Sequence, residues 1–493
     1  MRLTDEAVKT DRDTMVAKTM KDPEWIHFGA GNIFRAFMAD IAQTLLEKGS
    51  MKTGIIVCEG YDSRIIEKIY RPFDNLCILA TLRSDGIIEK KVISSIASSL
   101  ILDEDHIEDH KKLEQIFEKP SLKMCSFTIT EKGYKTPEYI EKIVPLIYHR
   151  YKTCEGPVAL VSMDNCSHNG DVLYEAVKAC AIRMVDEGLA EDGFLSYLDD
   201  PSKVSFPWTM IDRITPRPDE RILEELKKDG YEDLEPIVTD KNTYIAPFVN
   251  AEETGYLVIE DLFPNGRLPL DEAGVIYTDR QTVDAAERMK VCTCLNPLHT
   301  ALAIFGCLLG YETIHEEMKD EDLSRLVKEL GYREGMPVVS DPKVISPADF
   351  LDAVLNKRLP NPFMPDSPAR IATDTSQKIP VRFGETIKAY RQSDELDAED
   401  LVCIPLVIAG YLRYLSGRDD NGNAFEPSPD PLLDELKSMK PEDILRRQDI
   451  FANDLYADGL ADRILGYYRR MSTGPGAVRK TLHGILRGEH EHE

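Results

Sequence analysis

Apolar positions in the first half of the chain fall in short, nearly unbroken runs separated by segments of helical period. Trp25–Phe28, Gly54–Cys58, Leu76–Leu82, Met124–Ile129 and Val158–Met163 read as strands. The stretches Ile33–Glu47, His106–Phe117, Pro137–Tyr148 and Gly170–Val185 between them repeat at three and four residues and read as helices. Runs that are apolar throughout suit strands covered on both faces, so the alternation predicts a parallel α/β sheet. From about Gln281 the pattern turns almost wholly helical, with Pro- and Gly-bearing turns around Glu334–Val338, Leu359–Pro368 and Ser416–Pro429. The expected fold is therefore α/β, with a parallel-sheet domain over residues 1–280 followed by a mostly α-helical domain over 281–493.

The strand Trp25–Phe28 leads into Gly29-Ala30-Gly31-Asn32-Ile33-Phe34-Arg35, which opens a helix. In that context the first glycine permits a tight turn, and the second lets backbone amides approach a pyrophosphate at the helix N-terminus. Phe34 stands where a third glycine would complete the G-x-G-x-x-G pattern. Glu59, at the end of the second strand, suits hydrogen bonds to ribose hydroxyls and repels a 2′-phosphate, which favours NAD over NADP; a solvated strand end is the plainer alternative. Two more loops follow strands, Thr128-Ile-Thr130-Glu-Lys-Gly-Tyr134 and Asp164-Asn165-Cys-Ser-His168-Asn-Gly170. Their position suits a ligand cleft, with Thr130 and Asp164 as further cofactor contacts, although Asp-Asn pairs also cap turns well.

The run Lys290-Val-Cys-Thr-Cys-Leu-Asn296-Pro297-Leu-His299 gathers an amine, a carboxamide and an imidazole within ten residues. Those groups suit proton removal from an alcohol whose carbon gives up a hydride. A solvated lysine and an ordinary Asn-Pro helix start are the alternatives. An amine near its reference pKa of about 10.4 is a poor base at neutral pH, so the role requires a desolvated setting.

Composition narrows the partners. With 60 Lys+Arg against 87 Asp+Glu, the formal net charge of −27 disfavours nucleic acid and anionic lipid, so neither is an expected partner. The start Met-Arg-Leu-Thr-Asp-Glu has neither an apolar signal core nor a transit-peptide composition, so a cytoplasmic location is expected. The ten cysteines form no paired knuckles and read as reduced core fillers. Cys292 and Cys294 lie two apart, which points helical side chains to nearly opposite faces, so no metal is expected there.

These loops, with Met210-Ile-Asp212-Arg213-Ile-Thr-Pro216 and Asn296-Pro-Leu-His299, resemble the mannitol dehydrogenase family of polyol-specific long-chain dehydrogenases. The likeness continues through Asn361-Pro-Phe, Arg370-Ile-Ala, Ser376-Gln-Lys-Ile-Pro380 and Gly474-Pro-Gly-Ala-Val478, and so covers nearly the whole chain. It implies an N-terminal Rossmann-type domain over 1–280, a helical C-terminal domain over 281–493, and an NAD(H)-dependent, metal-free oxidoreductase, a monomer or small homo-oligomer, that acts on a small-molecule substrate in the cleft between the two domains. In it Lys290 would be general base or acid, Asn165 and Asn296 would donate to the substrate oxygen, His299 would bind or orient a neighbouring hydroxyl, and Asp212 would join the proton relay. Asn361, Arg370 and Lys378 would hold the far end of an open-chain sugar. D-mannonate and D-fructuronate are the first substrate choice, ahead of mannitol and fructose, then altronate and tagaturonate. An NAD-using epimerase or lyase and a non-catalytic nucleotide-binding module are the readings from other classes.

One departure stands out. The family has its lysine five residues before the asparagine, whereas Lys290 lies six before Asn296. On an unbroken helix of ~100° per residue, six residues turn the two side chains about 120° apart. The spacing therefore predicts a helix break or π-bulge between 291 and 296 if Lys290 is the base, and leaves Lys378 as the fallback.

Overall fold

The computed structural model describes residue 3, residues 11–103 and residues 105–488. The acidic tail 489–493, expected to fray, lies outside the described residues. The chain divides into two compact units, 1–83 with 87–284 and 84–86 with 285–493.

The first unit is built on six parallel strands, β1 (Trp25–Phe28), β2 (Ile55–Glu59), β3 (Ile96–Ile101), β4 (Met124–Phe127), β5 (Val158–Ser162) and β6 (Val204–Ser205). Their spatial order is β3-β2-β1-β4-β5-β6, the Rossmann order, in which direction reverses between β1 and β4. Side chains alternate between two cores, as the two-residue period of a strand requires. Ile55 and Val57 face one core with Ile41 and Leu45 of the helix Ala39–Lys48. Ile56 and Cys58 face the other, with Leu113 of Ile107–Phe117 and Ile147 of Pro137–Thr153. Both faces are covered, which is why the strands read as unbroken apolar runs.

Two elements depart from the sequence expectation. Leu76–Leu82 becomes the strand Cys77–Leu82, but it lies outside the parallel sheet, between Phe248–Glu252 and the antiparallel Ile88–Ile93. Asp85-Gly86, with Gly86 at φ 88°, turns a hairpin there, and an Asp-Gly pair is a hairpin signal. The strand that pairs with β2 is Ile96–Ile101, whose central Ser98 and Ser99 hide it from an apolar-run reading.

In the second unit the described residues form helices joined by turns, with one isolated bridge between Arg418 and Ala424. The helical run Arg280–Leu309 is long and apolar enough to cross a membrane, yet its most apolar window is 78% buried within the protein, as in a core helix. Gly310, at φ 78°, ends it.

Candidate active site

Gly29 follows β1 at φ 109°, a backbone region that favours glycine, and its N–H donates to the Cys58 carbonyl at 2.9 Å. A Cβ on Gly29 would stand 2.2 Å from the Thr128 carbonyl oxygen, so the loop after β4 closes directly on the turn. His27 sets that approach, with Nδ1 2.6 Å from Ser126 Oγ and Nε2 2.8 Å from Thr128 Oγ1. Burial pushes its imidazole down to about 3, so it serves here as a neutral hydrogen-bonding group. Around Gly31 the space is open, with nothing within 4 Å of where its Cβ would stand.

Phe34 and Arg35, expected as cofactor contacts, belong to the core instead. Phe34 is fully buried and stacks on His27 at 4.3 Å between ring centroids. The helix is π-wound over Phe34–Met38, and the wider turn accommodates a phenyl ring where the third glycine would have allowed close packing. Arg35 is 1% exposed and donates to the Ala246 carbonyl at 2.6 Å and to Asn32 Oδ1 at 2.8 Å. It positions Asn32. Ile33 packs partly buried against the same core.

Glu59 lies at the end of β2 as expected, but its carboxylate is 5% exposed and bound by the protein's own amides. Oε2 accepts from Ala30 N–H at 2.9 Å, and Oε1 accepts from Tyr61 N–H at 2.7 Å and Asp62 N–H at 3.1 Å. A carboxylate offers about four acceptor positions, so one remains for a ribose hydroxyl. Burial holds this carboxyl above its ordinary value, and the three amides offset that only in part.

Asp164, also expected on the cofactor, shapes the β4 loop. Its two oxygens accept from Ile129 and Thr130 N–H, both at 2.9 Å, and from the Tyr134 hydroxyl at 2.7 Å. These bonds hold Thr130 at φ 64°. Burial raises the Asp164 carboxyl despite them. Asn165, next in the chain, is exposed, whereas Asp212 is buried at the end of the strand Thr209–Asp212.

In the second unit Lys290 sits in a π-turn, Met289–Cys294, and Leu295 N–H donates to the Lys290 carbonyl five residues back at 3.1 Å. This is the irregularity that the six-residue spacing called for: a π-turn takes up one extra residue without breaking the helix. Pro297 brings no N–H to the carbonyl five residues before it, that of Cys292, which Thr386 Oγ1 reaches at 3.4 Å. The next helix is assigned from Asn296 with Leu295 as its cap, one residue earlier than the Asn-Pro pair suggested. Lys290 is 2% exposed, while Asn296 and His299 are half-buried. Burial pushes the Cys294 thiol up to about 11, which keeps it protonated as a core filler.

His299 faces Asp366, which sequence reasoning missed, with Nε2 3.5 Å from Oδ2. Arg370 pairs with the other oxygen of Asp366. Burial alone would raise the Asp366 carboxyl; the hydrogen bond and charge of His299 and the charge of Arg370 outweigh it and hold the group below its ordinary value. Asp366 thus neutralises Arg370 and fixes the imidazole. No periodic or motif signal marks it, since Pro365-Asp366-Ser367 reads as a turn. Asn361, expected at the substrate, is 1% exposed and its side-chain oxygen accepts from Phe363 N–H at 2.9 Å, so it shapes the turn 361–363. Lys378 is half-buried and donates to the carbonyls of Ile371 and Thr373.

The first unit fits a dinucleotide. The first amides of a helix have no carbonyl one turn earlier to serve, and the helix N-terminus attracts anions. Gly31 leaves open space at that end, and Gly29 keeps the turn tight, with Glu59 Oε2 accepting from the Ala30 N–H between the two glycines.

Comparison with known proteins agrees with this geometry. Residues 23–272 match the mannitol dehydrogenase Rossmann domain, and residues 282–471 match the mannitol dehydrogenase C-terminal domain. A D-mannonate oxidoreductase of Thermotoga maritima is 49% identical, over 97% of this chain and 95% of its own length. Two solved structures are each 25% identical. A D-sorbitol dehydrogenase in substrate-free form superposes at TM-score 0.80, with 97% of each chain covered. A Pseudomonas fluorescens mannitol 2-dehydrogenase solved with NAD and D-mannitol gives 0.70, over 99% of this chain and 98% of that one. The chain belongs to the mannitol dehydrogenase family.

Proposed function

We propose that this protein is a cytoplasmic NAD(H)-dependent oxidoreductase that interconverts D-mannonate and D-fructuronate. The observation that carries the reading is the 49% identity to a D-mannonate oxidoreductase along nearly the full length of both chains. NAD, when bound, would supply the acceptor for the hydride that leaves the carbinol carbon. Lys290 is the base that takes the hydroxyl proton, and in the reverse direction the acid that returns it. Its burial keeps bulk water away from the amine, and the π-turn re-aims it relative to the helix that carries Asn296. Asn296 donates to the substrate oxygen, where negative charge grows as the hydride leaves. His299, held by Asp366, orients a neighbouring hydroxyl. Asn165 and Asp212, in the first unit, keep the roles that the family resemblance gives them, as second donor and as part of the proton relay.

The test is NADH oxidation by the purified protein with D-fructuronate, D-tagaturonate and D-fructose. The reading expects the highest kcat/KM with D-fructuronate. A preference for D-fructose would replace it with a mannitol 2-dehydrogenase, and a preference for D-tagaturonate with an altronate oxidoreductase. Interconversion of sugar epimers without net change in NADH absorbance would replace it with an epimerase.

A further inference from the structure

Arg382 appears in no motif of the sequence reading, yet its setting is unusual for an arginine. It lies in another π-turn, Pro380–Gly384, which packs against the π-turn of Lys290 and against the helix Asn296–Leu309. Its Nη1 donates to Thr300 Oγ1 at 2.6 Å, and Thr300 Oγ1 in turn donates to the Asn296 carbonyl at 3.1 Å. The guanidinium therefore sits on the first turn of the helix that presents Asn296 and His299. Among the described residues no carboxylate lies within ion-pair distance of Arg382 or of Lys378.

That arrangement is unfavourable by itself in three ways. A half-buried cation loses part of its hydration, and a single hydroxyl oxygen replaces little of it. The N-terminal end of a helix carries partial positive charge, which repels a cation. Lys378 and Arg382 also repel each other: burial first, then Arg382, pulls the Lys378 ammonium down to about 8, and burial pulls Arg382 down to about 10. Arg370 does not share the situation, because Asp366 already neutralises it. Asp374 and Asp430 offset part of the repulsion on Lys378, but among the described residues no acid does so for Arg382, whose guanidinium is therefore open to an anion brought from outside.

We propose that Arg382, with Lys378 beside it, forms a carboxylate subsite that selects an open-chain sugar acid over the corresponding neutral sugar. The inference rests on the functional reading above and adds the residue that makes the choice. The guanidinium offers a planar pair of N–H groups to a carboxylate, and Lys378 adds a second charge. A hydroxymethyl group in the same place would leave Arg382 without a counter-charge.

The experiment compares kcat/KM for D-fructuronate and for D-fructose, in which a hydroxymethyl group replaces the carboxylate. The proteins are the wild type, Arg382→Gln, which keeps a donor for Thr300, and Arg382→Lys, which keeps the charge. NADH binding serves as the check on folding. Arg382→Gln is expected to lower the uronate value roughly 10- to 100-fold, mostly through KM, from the loss of a charged hydrogen bond. The fructose value should fall at least tenfold less, and Arg382→Lys should retain most of the preference. Parallel losses on both substrates in Arg382→Gln overturn the proposal while leaving the functional reading intact. So does a lysine variant that binds NADH normally but has lost the preference. A wild type that reduces fructose and not the uronate overturns the functional reading, and the subsite with it.

Discussion

Glu59→Gln separates what the acid at the end of β2 does for the glycine turn from what it does for the cofactor. The wild-type carboxylate receives Tyr61 and Asp62 N–H on one oxygen and Ala30 N–H on the other. A glutamine keeps one acceptor oxygen. With that oxygen on the pair at 61 and 62, its NH₂ group faces the Ala30 N–H, donor against donor. Ala30 is fully buried, so water cannot replace the lost acceptor. An unpaired buried amide costs about 1–3 kcal/mol. The variant also escapes part of the burial penalty that holds the wild-type carboxyl above its ordinary value, so global stability should change little. The loss falls on the turn that must receive the pyrophosphate. At 1.4 kcal/mol per tenfold it should weaken NADH binding about tenfold, while kcat at saturating NADH stays within about threefold. Removing the negative charge should also narrow the preference for NADH over NADPH. Fluorescence titration with both cofactors, thermal unfolding and steady-state turnover at saturating NADH read the four quantities. A folded variant whose NADH Kd stays within twofold of wild type would refute the argument, as would a tenfold loss of kcat at unchanged Kd.

Two further outcomes are expected. Lys290→Met keeps the bulk of a side chain that is 2% exposed but removes the amine; turnover should fall 10²- to 10⁴-fold with NADH binding unchanged, and a loss under about tenfold would remove Lys290 from the role of base. Glu317 is fully buried with both oxygens unpartnered, and burial, then the charge of Asp320, raises its carboxyl well above 4.5. The folded state therefore holds this proton more tightly than the unfolded chain does, so the contribution is fully present below the unfolded value and is lost as pH rises through the folded one. Glu317→Met, unbranched enough for the space beside Gly306, should stabilise the protein by about 1–3 kcal/mol, with a gain over wild type that grows with pH in denaturant unfolding. A variant less stable than wild type, or a gain that does not change with pH, would contradict the sign.

Strands covered on both faces announce themselves, and four of the six in the parallel sheet were legible from their apolar runs alone. The strand at 96–101 was not, because Ser98 and Ser99 break the run; its pairing with β2 comes from tertiary placement that local pattern does not carry. In the site, legibility followed the same division between local and long-range causes. The π-turn at Lys290 could be anticipated, because an extra residue and a proline are both written in the chain near the lysine. The burial of Phe34 and Arg35 could not, since a glycine-rich turn followed by Phe-Arg looks the same whether the arginine meets a phosphate or the carbonyl of a residue 211 positions away. Asp366 and Arg382 are the sharper case. Each is an unremarkable charge in sequence, and each gains meaning from what lies across the fold: Asp366 from meeting His299 and Arg370, Arg382 from meeting, among the described residues, a threonine and no acid. Reading charge chemistry from a sequence therefore succeeds where the partner is a neighbour along the chain. It fails where the partner is remote, and it fails most completely where, as at Arg382, the partner that the charge awaits is the ligand itself.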